Sequence, residues 1–104
     1  MPPPTYTLTI LYPAGTTFNM PYYLSTHMPL AEKHWKPYGA QSWKVVQLPH
    51  DAPYCVQATV KWGSREEFLK ALAGPEVEEI KGDVKNFSDR EPIMLVGEVV
   101  GSSS

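Results

Sequence analysis

Apolar and polar residues alternate in two stretches of the chain, and this alternation predicts two half-buried β-strands. Residues 6–12 alternate large apolar side chains with threonines, and residues 54–62 place an apolar side chain at nearly every second position. A period of two matches the way that side chains alternate across a sheet. Residues 42–48 and 93–100 are predicted as two further strands, and the last strand is apolar on both of its faces.

A helix is predicted between the first two strands. Asn19 can cap it, because its short side chain accepts from the free amides of a first helical turn. The helix should cover residues 20–35, but Pro29 lacks a backbone donor and clashes with the preceding turn. We therefore expect a kink or break near residues 26–29 and an end of the helix by Gly39.

A second helix is predicted between the third and fourth strands. Ser64 and Glu67 form an S-x-x-E capping box, which marks a helix N-terminus. Residues 74–75, a Gly-Pro pair, interrupt the apolar stripe of this helix, and a last short piece ends near Gly82. The element order is then βαββαβ, which predicts an α+β, ferredoxin-like fold with an antiparallel sheet and two helical segments on one face.

The apolar second face of the last strand needs a cover. A second copy of the same chain is the commonest way to bury such a face, so a homodimer is expected. The length of 104 residues suits a single domain over residues 1–104, with an ordered core over about residues 5–100.

Composition and charge exclude several classes of partner. The net charge is −2, and the lysines and arginines form no run that would suit a nucleic acid. No apolar stretch is long enough to span a membrane, and the first five residues lack a signal-peptide pattern, so we expect a cytoplasmic protein without a membrane partner. Cys55, the one cysteine, is interpreted as a structural filler.

The histidines are the candidates for chemistry. His50 lies in a Pro-flanked loop and is interpreted as solvated. His27 and His34 are seven residues apart and could share a helix face, but no third ligand has a matching spacing, so no metal is predicted. His27 precedes the expected break and is either a general base, with an imidazole that titrates near neutral pH, or a structural histidine bonded to freed carbonyls.

Aromatic residues around the first helix could line a pocket for a small apolar or aromatic molecule, although a plain core is the alternative. The residues assigned to this predicted pocket are Tyr22, Tyr23, Trp35 and Tyr38.

Two motifs resemble those of a known family. Residues 18–30 read F-x-x-x-Y-Y-x-x-x-H-x-P-L, which is similar to the first-helix signature of the EthD family, associated with ethyl tert-butyl ether degradation. Residues 83–88 read D-x-x-N-F-S and lead to Pro92 and the last strand, as in the loop of that family. The matching residues are Tyr22, Tyr23, His27, Pro29, Asp83, Asn86, Phe87 and Pro92.

The resemblance implies a dimeric α/β barrel in which two ferredoxin-like sheets pair face to face. It also implies His27 as the catalytic residue, with Pro29, Asp83, Asn86, Phe87 and Pro92 as structural members of the motifs. Relatives of this barrel include cofactor-free oxygenases, heme-degrading enzymes and isomerases, so fold follows from the resemblance better than reaction does.

Three functional hypotheses follow. The first is a small-molecule protein of oxidative, catabolic or secondary metabolism, a cofactor-independent, monooxygenase-like oxidoreductase that requires no cofactor and uses His27 as base. The second is a non-catalytic homodimer that binds or delivers an apolar metabolite. The third is a heme-handling protein with His27 or His34 as axial ligand.

Overall fold

The computed structural model describes residues 5–103. Residues 1–4, which were considered for a signal-peptide pattern, and Ser104, the last residue of the expected domain, lie outside this range. Four strands form the sheet: β1 (Tyr6–Pro13), β2 (Ala40–Gln47), β3 (Tyr54–Trp62) and β4 (Ile93–Glu98). Four α-helical segments accompany them: α1 (Met20–Tyr22), α2 (Met28–Trp35), α3 (Arg65–Ala73) and α4 (Glu76–Gly82).

The sheet is antiparallel throughout, with the strand order β2-β3-β1-β4. This order confirms the predicted ferredoxin-like α+β fold. The face of β1 and β3 that packs under the helices is apolar and buried, as the alternation predicts; it carries Tyr6, Leu8, Ile10, Tyr12, Val56, Ala58, Val60 and Trp62. The observed ends of β2 and β4 differ from the predicted ends by one or two residues. The end of a strand is set by its backbone hydrogen bonds to the neighbouring strand, which the pattern of apolar residues does not reveal.

The first helix is not broken near residues 26–29, where we expected a kink or a break. A π-helical turn, Tyr23–His27, joins α1 directly to α2, and the amide of Met28 donates to the carbonyl of Tyr23. Pro29 lies in the first turn of α2. The wider π turn takes up the steric conflict that Pro29 would impose on a regular helix, and such turns occur frequently at functional sites.

The predicted helix starts are confirmed by their capping bonds. The Asn19 side chain accepts from the Tyr22 amide at 3.1 Å, and the Ser64 hydroxyl accepts from the Glu67 amide at 3.2 Å. The Glu67 carboxylate accepts from the Ser64 hydroxyl at 3.0 Å. Gly39 adopts φ 127°, a conformation that only glycine takes without strain, and it turns the chain into β2.

Helices and sheet enclose one apolar core, with the helices all on one side of the sheet. Cys55 is partly buried, and its thiol lies 3.3 Å from the Pro13 carbonyl oxygen, in keeping with a structural role. Within residues 5–103, no helix has both the length and the apolarity needed to cross a membrane.

Candidate functional site

An apolar cavity of about 290 Å³ lies between the sheet and the helices. Its floor consists of side chains from β1, β3 and β4, and its roof of side chains from α2, α3 and α4. Apolar residues make up most of the wall: Leu8, Ile10, Met28, Ala31, Trp35, Val60, Phe68, Leu72, Val77, Ile80, Val84, Pro92, Met94 and Val96. Polar groups enter the wall from Tyr12, His27 and Lys81.

His27 is held in the cavity wall by a carboxylate. Its Nδ1 lies 2.9 Å from Oδ2 of Asp83, and the two side chains are only 7% and 11% exposed. A carboxylate accepts only, so Nδ1 carries the proton, and Nε2 keeps the lone pair in the neutral ring. Asp83 therefore fixes the tautomer in which Nε2 can accept a proton from a bound molecule.

Asp83 is itself held by two further donors. Its Oδ1 accepts from the Tyr22 hydroxyl at 2.6 Å and from the Asn86 side-chain amide at 2.9 Å. Tyr22 and His27 come from the first helix, whereas Asp83 and Asn86 follow α4. The hydrogen bonds thus join the two sequence motifs, which are 56 residues apart between His27 and Asp83.

Aromatic rings surround the imidazole. Tyr23 stacks on His27 with ring centroids 5.4 Å apart, and Phe87 packs against it at 4.4 Å. Phe18 contacts both Tyr23 and Phe87, and the Asn19 amide donates to the Phe87 carbonyl at 2.8 Å. This packing excludes water from one side of the ring and restricts its rotation.

Burial and hydrogen bonding set the charges at the site. Burial lowers the pKa of His27, and the Asp83 carboxylate opposes this effect only in part. Burial acts to raise the pKa of Asp83, but hydrogen bonds from Tyr22, Asn86 and His27 outweigh it and lower the pKa. Burial also raises the pKa of Tyr12. Near neutral pH the site holds a neutral imidazole, an ionised carboxylate and a neutral phenol.

The structure separates the four residues of the predicted pocket. Trp35 lies on the cavity wall. Tyr23 is fully buried in the core beneath His27, the Tyr22 hydroxyl is engaged by Asp83, and the Tyr38 hydroxyl donates to Glu76 at 2.9 Å. These three tyrosines are not among the residues of the cavity wall, and their hydroxyls or rings contact other parts of the protein.

The motif residues are distributed between the site and its support. Asp83 contacts His27 directly, and Asn86 holds Asp83. Phe87 is buried against the imidazole. Pro92 lies on the cavity wall, and Pro29 is exposed at the start of α2.

Sequence reasoning missed most of the cavity wall. Lys81, Met94 and Val96 face the cavity, but α4 and β4 were considered only for their apolar patterning. The position of Asp83 in a motif was the one signal that linked this end of α4 to His27.

The other histidines are engaged elsewhere or exposed. Nε2 of His34 lies 2.7 Å from the Glu79 carboxylate, which connects α2 to α4, and His50 lies in an exposed loop. The structural alternative for His27 was a bond to a backbone carbonyl freed by a helix break. Its Nδ1 instead faces the Asp83 carboxylate. Over the described residues, no group of three or more histidine, cysteine or acidic side chains could hold a metal ion.

Solved structures with the same architecture include an EthD-like protein from Ralstonia eutropha JMP134. It is 24% identical, the match covers 98% of this chain and 97% of that chain, and the TM-score is 0.84. The fold is that of the EthD-like proteins. An ethyl tert-butyl ether degradation (EthD) family protein from Bacillus halodurans C-125 is 20% identical, with coverage of 92% and 99% and a TM-score of 0.71.

A third similar structure is SnoaB from Streptomyces nogalater, described as a cofactor-independent oxygenase. It is 12% identical to this chain, with coverage of 95% and 96% and a TM-score of 0.71. No protein-family model and no curated protein sequence matches the chain. The EthD resemblance indicated by the two motifs is thus confirmed at the level of the fold, which by itself does not define a reaction.

Proposed function

We propose that the protein acts on a small apolar or aromatic molecule bound in the cavity, with His27 as general base. The observation that carries this proposal is the His27–Asp83 pair, in which His27 lies in the wall of a mostly apolar cavity and Asp83 lies behind it. A general base must be unprotonated before it can accept a proton, and burial lowers the pKa of His27, which keeps its imidazole in the neutral form. The EthD-like and SnoaB-like folds of its structural neighbours support an oxidative role.

In the proposed mechanism, Nε2 of His27 takes a proton from an acidic O–H or C–H of the bound molecule. Asp83 accepts from Nδ1–H and stabilises the imidazolium that forms, while Tyr22 and Asn86 hold the carboxylate in place. The mostly apolar lining of the cavity offers few other groups that could accept this proton. The product of this step is an enolate or phenolate beside the imidazolium.

In the oxidoreductase version, the substrate anion transfers one electron to dioxygen, which gives a substrate radical and superoxide. The two combine to an organic peroxide anion, which takes up the proton from His27 and becomes a hydroperoxide. Loss of water from the hydroperoxide converts a CH₂ group to a carbonyl, so that substrate and dioxygen give oxidised product and water. This reaction uses no metal or organic cofactor.

The experiment is base-catalysed exchange of a carbon acid. The protein is incubated with 2-tetralone in heavy water, and proton NMR follows the loss of the acidic C1 protons. We expect His27→Gln to lower the protein-catalysed rate by about 10²–10⁴-fold, the usual contribution of a general base. His50→Gln is the matched control, because His50 is exposed. Equal rates in wild type and His27→Gln would refute the base assignment.

The mostly apolar lining of the cavity also suits a non-catalytic protein that binds or delivers an apolar metabolite. In that case 2-tetralone binds to wild type and to His27→Gln without accelerated exchange in either protein. The heme hypothesis has its own test: hemin added to the protein would give a Soret band that His27→Ala abolishes.

We further propose that the protein works as a homodimer through the face of the sheet opposite the helices. Ile93 and Leu95 of β4 pair with Leu11 and Thr9 of β1 on that face, and they are 44% and 54% exposed. Adjacent exposed apolar side chains at a sheet edge favour pairing with a second copy. Two sheets paired in this way form the α/β barrel that the motif resemblance implies.

The dimer is tested by light scattering on Leu95→Lys. A buried lysine would cost the interface far more than it costs the monomer, so we expect the mutant to be monomeric at concentrations where the wild type is a dimer. Leu69→Lys is the control, because Leu69 is comparably exposed but lies on α3, on the helical side. A wild-type protein that is monomeric throughout would contradict the proposal.

A further inference from the structure

We infer that Lys81 holds the anionic oxygen of the ligand at the cavity mouth, so that the ligand is an apolar molecule of about two rings with one acidic hydroxyl. This inference rests on the proposed function of the cavity and adds a group that determines specificity. It depends on the size of the cavity, on the position of Lys81 and on the charges around it.

The size of the cavity limits the ligand. An apolar cavity of roughly 150 Å³ in another protein accommodates benzene, and the cavity here has about 290 Å³. The volume is therefore about twice that required by one aromatic ring. A naphthalene-sized molecule fits this volume.

Lys81 marks the mouth of the cavity. It belongs to the cavity wall and also to a shallow surface depression with Lys85, Arg90 and Glu91. A lysine at such a boundary covers the apolar rim with its aliphatic stem and keeps its ammonium group near water. Among the described residues Lys81 forms no ion pair, so its charge is available to a ligand.

His27 and Lys81 lie near the same end of α4. Lys81 belongs to the last turn of α4 (Glu76–Gly82), and Asp83, the partner of His27, follows two residues later. An acidic hydroxyl at this end can give its proton to His27, and the resulting oxyanion then faces the Lys81 ammonium. The apolar body of the ligand lies deeper, against Trp35 and the sheet.

Several charged groups surround the mouth of the cavity. The titratable groups in the cavity wall are Tyr12, His27 and Lys81, and Asp83 lies behind His27. The charged groups of the adjoining depression are Lys85, Asp89, Arg90 and Glu91. Asp89 accepts from the Thr17 amide at 2.9 Å and Arg90 donates to the Ala14 carbonyl at 3.4 Å, so both are directed partly toward the β1–α1 loop.

The test uses two probes, 2-naphthol and 2-methoxynaphthalene, which share the naphthalene ring system and an oxygen atom at the same position. Fluorescence titration gives their dissociation constants, and absorption of the bound naphthol against pH gives its pKa. An opposite charge within a few ångströms shifts a pKa by about 1–3 units. We expect the bound naphthol to ionise with a pKa at least about one unit below that of free naphthol, a tenfold shift in its protonation equilibrium.

Lys81→Met should remove most of this shift and leave the binding of 2-methoxynaphthalene within about twofold of wild type, because the ether carries no acidic proton. Lys81→Arg should retain the shift, since the charge is kept. Lys85→Met is the matched control: it removes the same charge from the outer depression and should change neither probe.

The two probes and the Lys81 variants give results that either support or overturn the anion site. An unchanged pKa of the bound naphthol in Lys81→Met, or failure of both probes to bind to wild type, would overturn this inference. The exchange experiment on His27→Gln separately decides the proposed function. A Lys81-dependent pKa shift without exchange in wild type would sustain the anion site and refute the base.

Discussion

The substitution Asp83→Asn tests the link between the two motifs, because it removes the charge of Asp83 with little change in shape. In wild type the carboxylate accepts from Tyr22, Asn86 and Nδ1 of His27. An asparagine has one acceptor oxygen and one donor nitrogen in the same places. If the amide nitrogen faces His27, Nδ1 must accept instead, and the proton moves to Nε2, where it blocks the base.

The magnitude follows from the geometry. Asp83 lies 2.9 Å from His27 and both side chains are nearly buried. An opposite charge at such a distance raises a histidine pKa by about 1–3 units, and we take the lower end because Asp83 shares its charge among three donors. We therefore expect Asp83→Asn to lower the pKa of His27 by about one unit below its already depressed wild-type value.

Long-range proton–nitrogen correlation NMR measures both the tautomer and the pKa of His27. Wild type should show Nδ1 protonated and Nε2 unprotonated near neutral pH, and Asp83→Asn should show a mixed or inverted tautomer with a lower pKa. Exchange activity should fall by about 10²-fold or more with the misplaced proton. An unchanged or raised pKa of His27 in the mutant would refute the electrostatic role of Asp83.

Further predictions concern stability. Phe87→Ala should lower the free energy of unfolding by about 3–5 kcal/mol in urea denaturation, because Phe87 is 3% exposed and packs against five other rings, whereas Phe87→Leu should cost less. Ser64→Ala should cost about 1 kcal/mol through the lost cap; no change would refute the cap seen at α3. Because the folded pKa of His27 lies below its ordinary 6.5, the unfolded chain binds the proton more tightly, and stability should fall as pH decreases from about 6.5 toward the folded pKa. Calorimetry at pH 7 and pH 5, values chosen to span about 6.5, should show a smaller loss of Tm in His27→Gln than in His50→Gln. An equal loss of Tm in the two variants would contradict the buried neutral imidazole. The pKa of Asp83 is also lowered, so its contribution should be lost only as pH falls below 3.8.

The fold could be predicted from the sequence because the local patterns of individual strands and helices agreed with the order of these elements along the chain. Alternation in β1 and β3, the caps at Asn19 and Ser64, and the element order each point to the same βαββαβ arrangement. A kink or break was expected near Pro29, and the structure has a π turn over Tyr23–His27, directly before α2. A proline predicts a missing donor and a clash, whereas the choice between a break and a π turn depends on the tertiary packing of Tyr23 and His27.

The site was accessible only in part. His27 and Asp83 were both named from the motifs, yet their 2.9 Å contact is set by how α4 packs on the first helix. Tyr22 and Tyr38 were expected in the pocket because aromatic rings suit apolar ligands. Their hydroxyls instead bond to Asp83 and Glu76, which no spacing along the chain indicates. Lys81 also faces the cavity because of how α4 packs in the fold, which its spacing along the chain does not indicate.

The most direct test of the account is a crystal structure of the protein with 2-naphthol bound. We expect the naphthalene rings to lie in the cavity of about 290 Å³, with the naphthol oxygen within about 3.2 Å of Nε2 of His27, the distance needed for proton transfer. A complex in which the cavity is empty, or in which the oxygen points away from His27 toward the sheet, would contradict the claim that this histidine is the base.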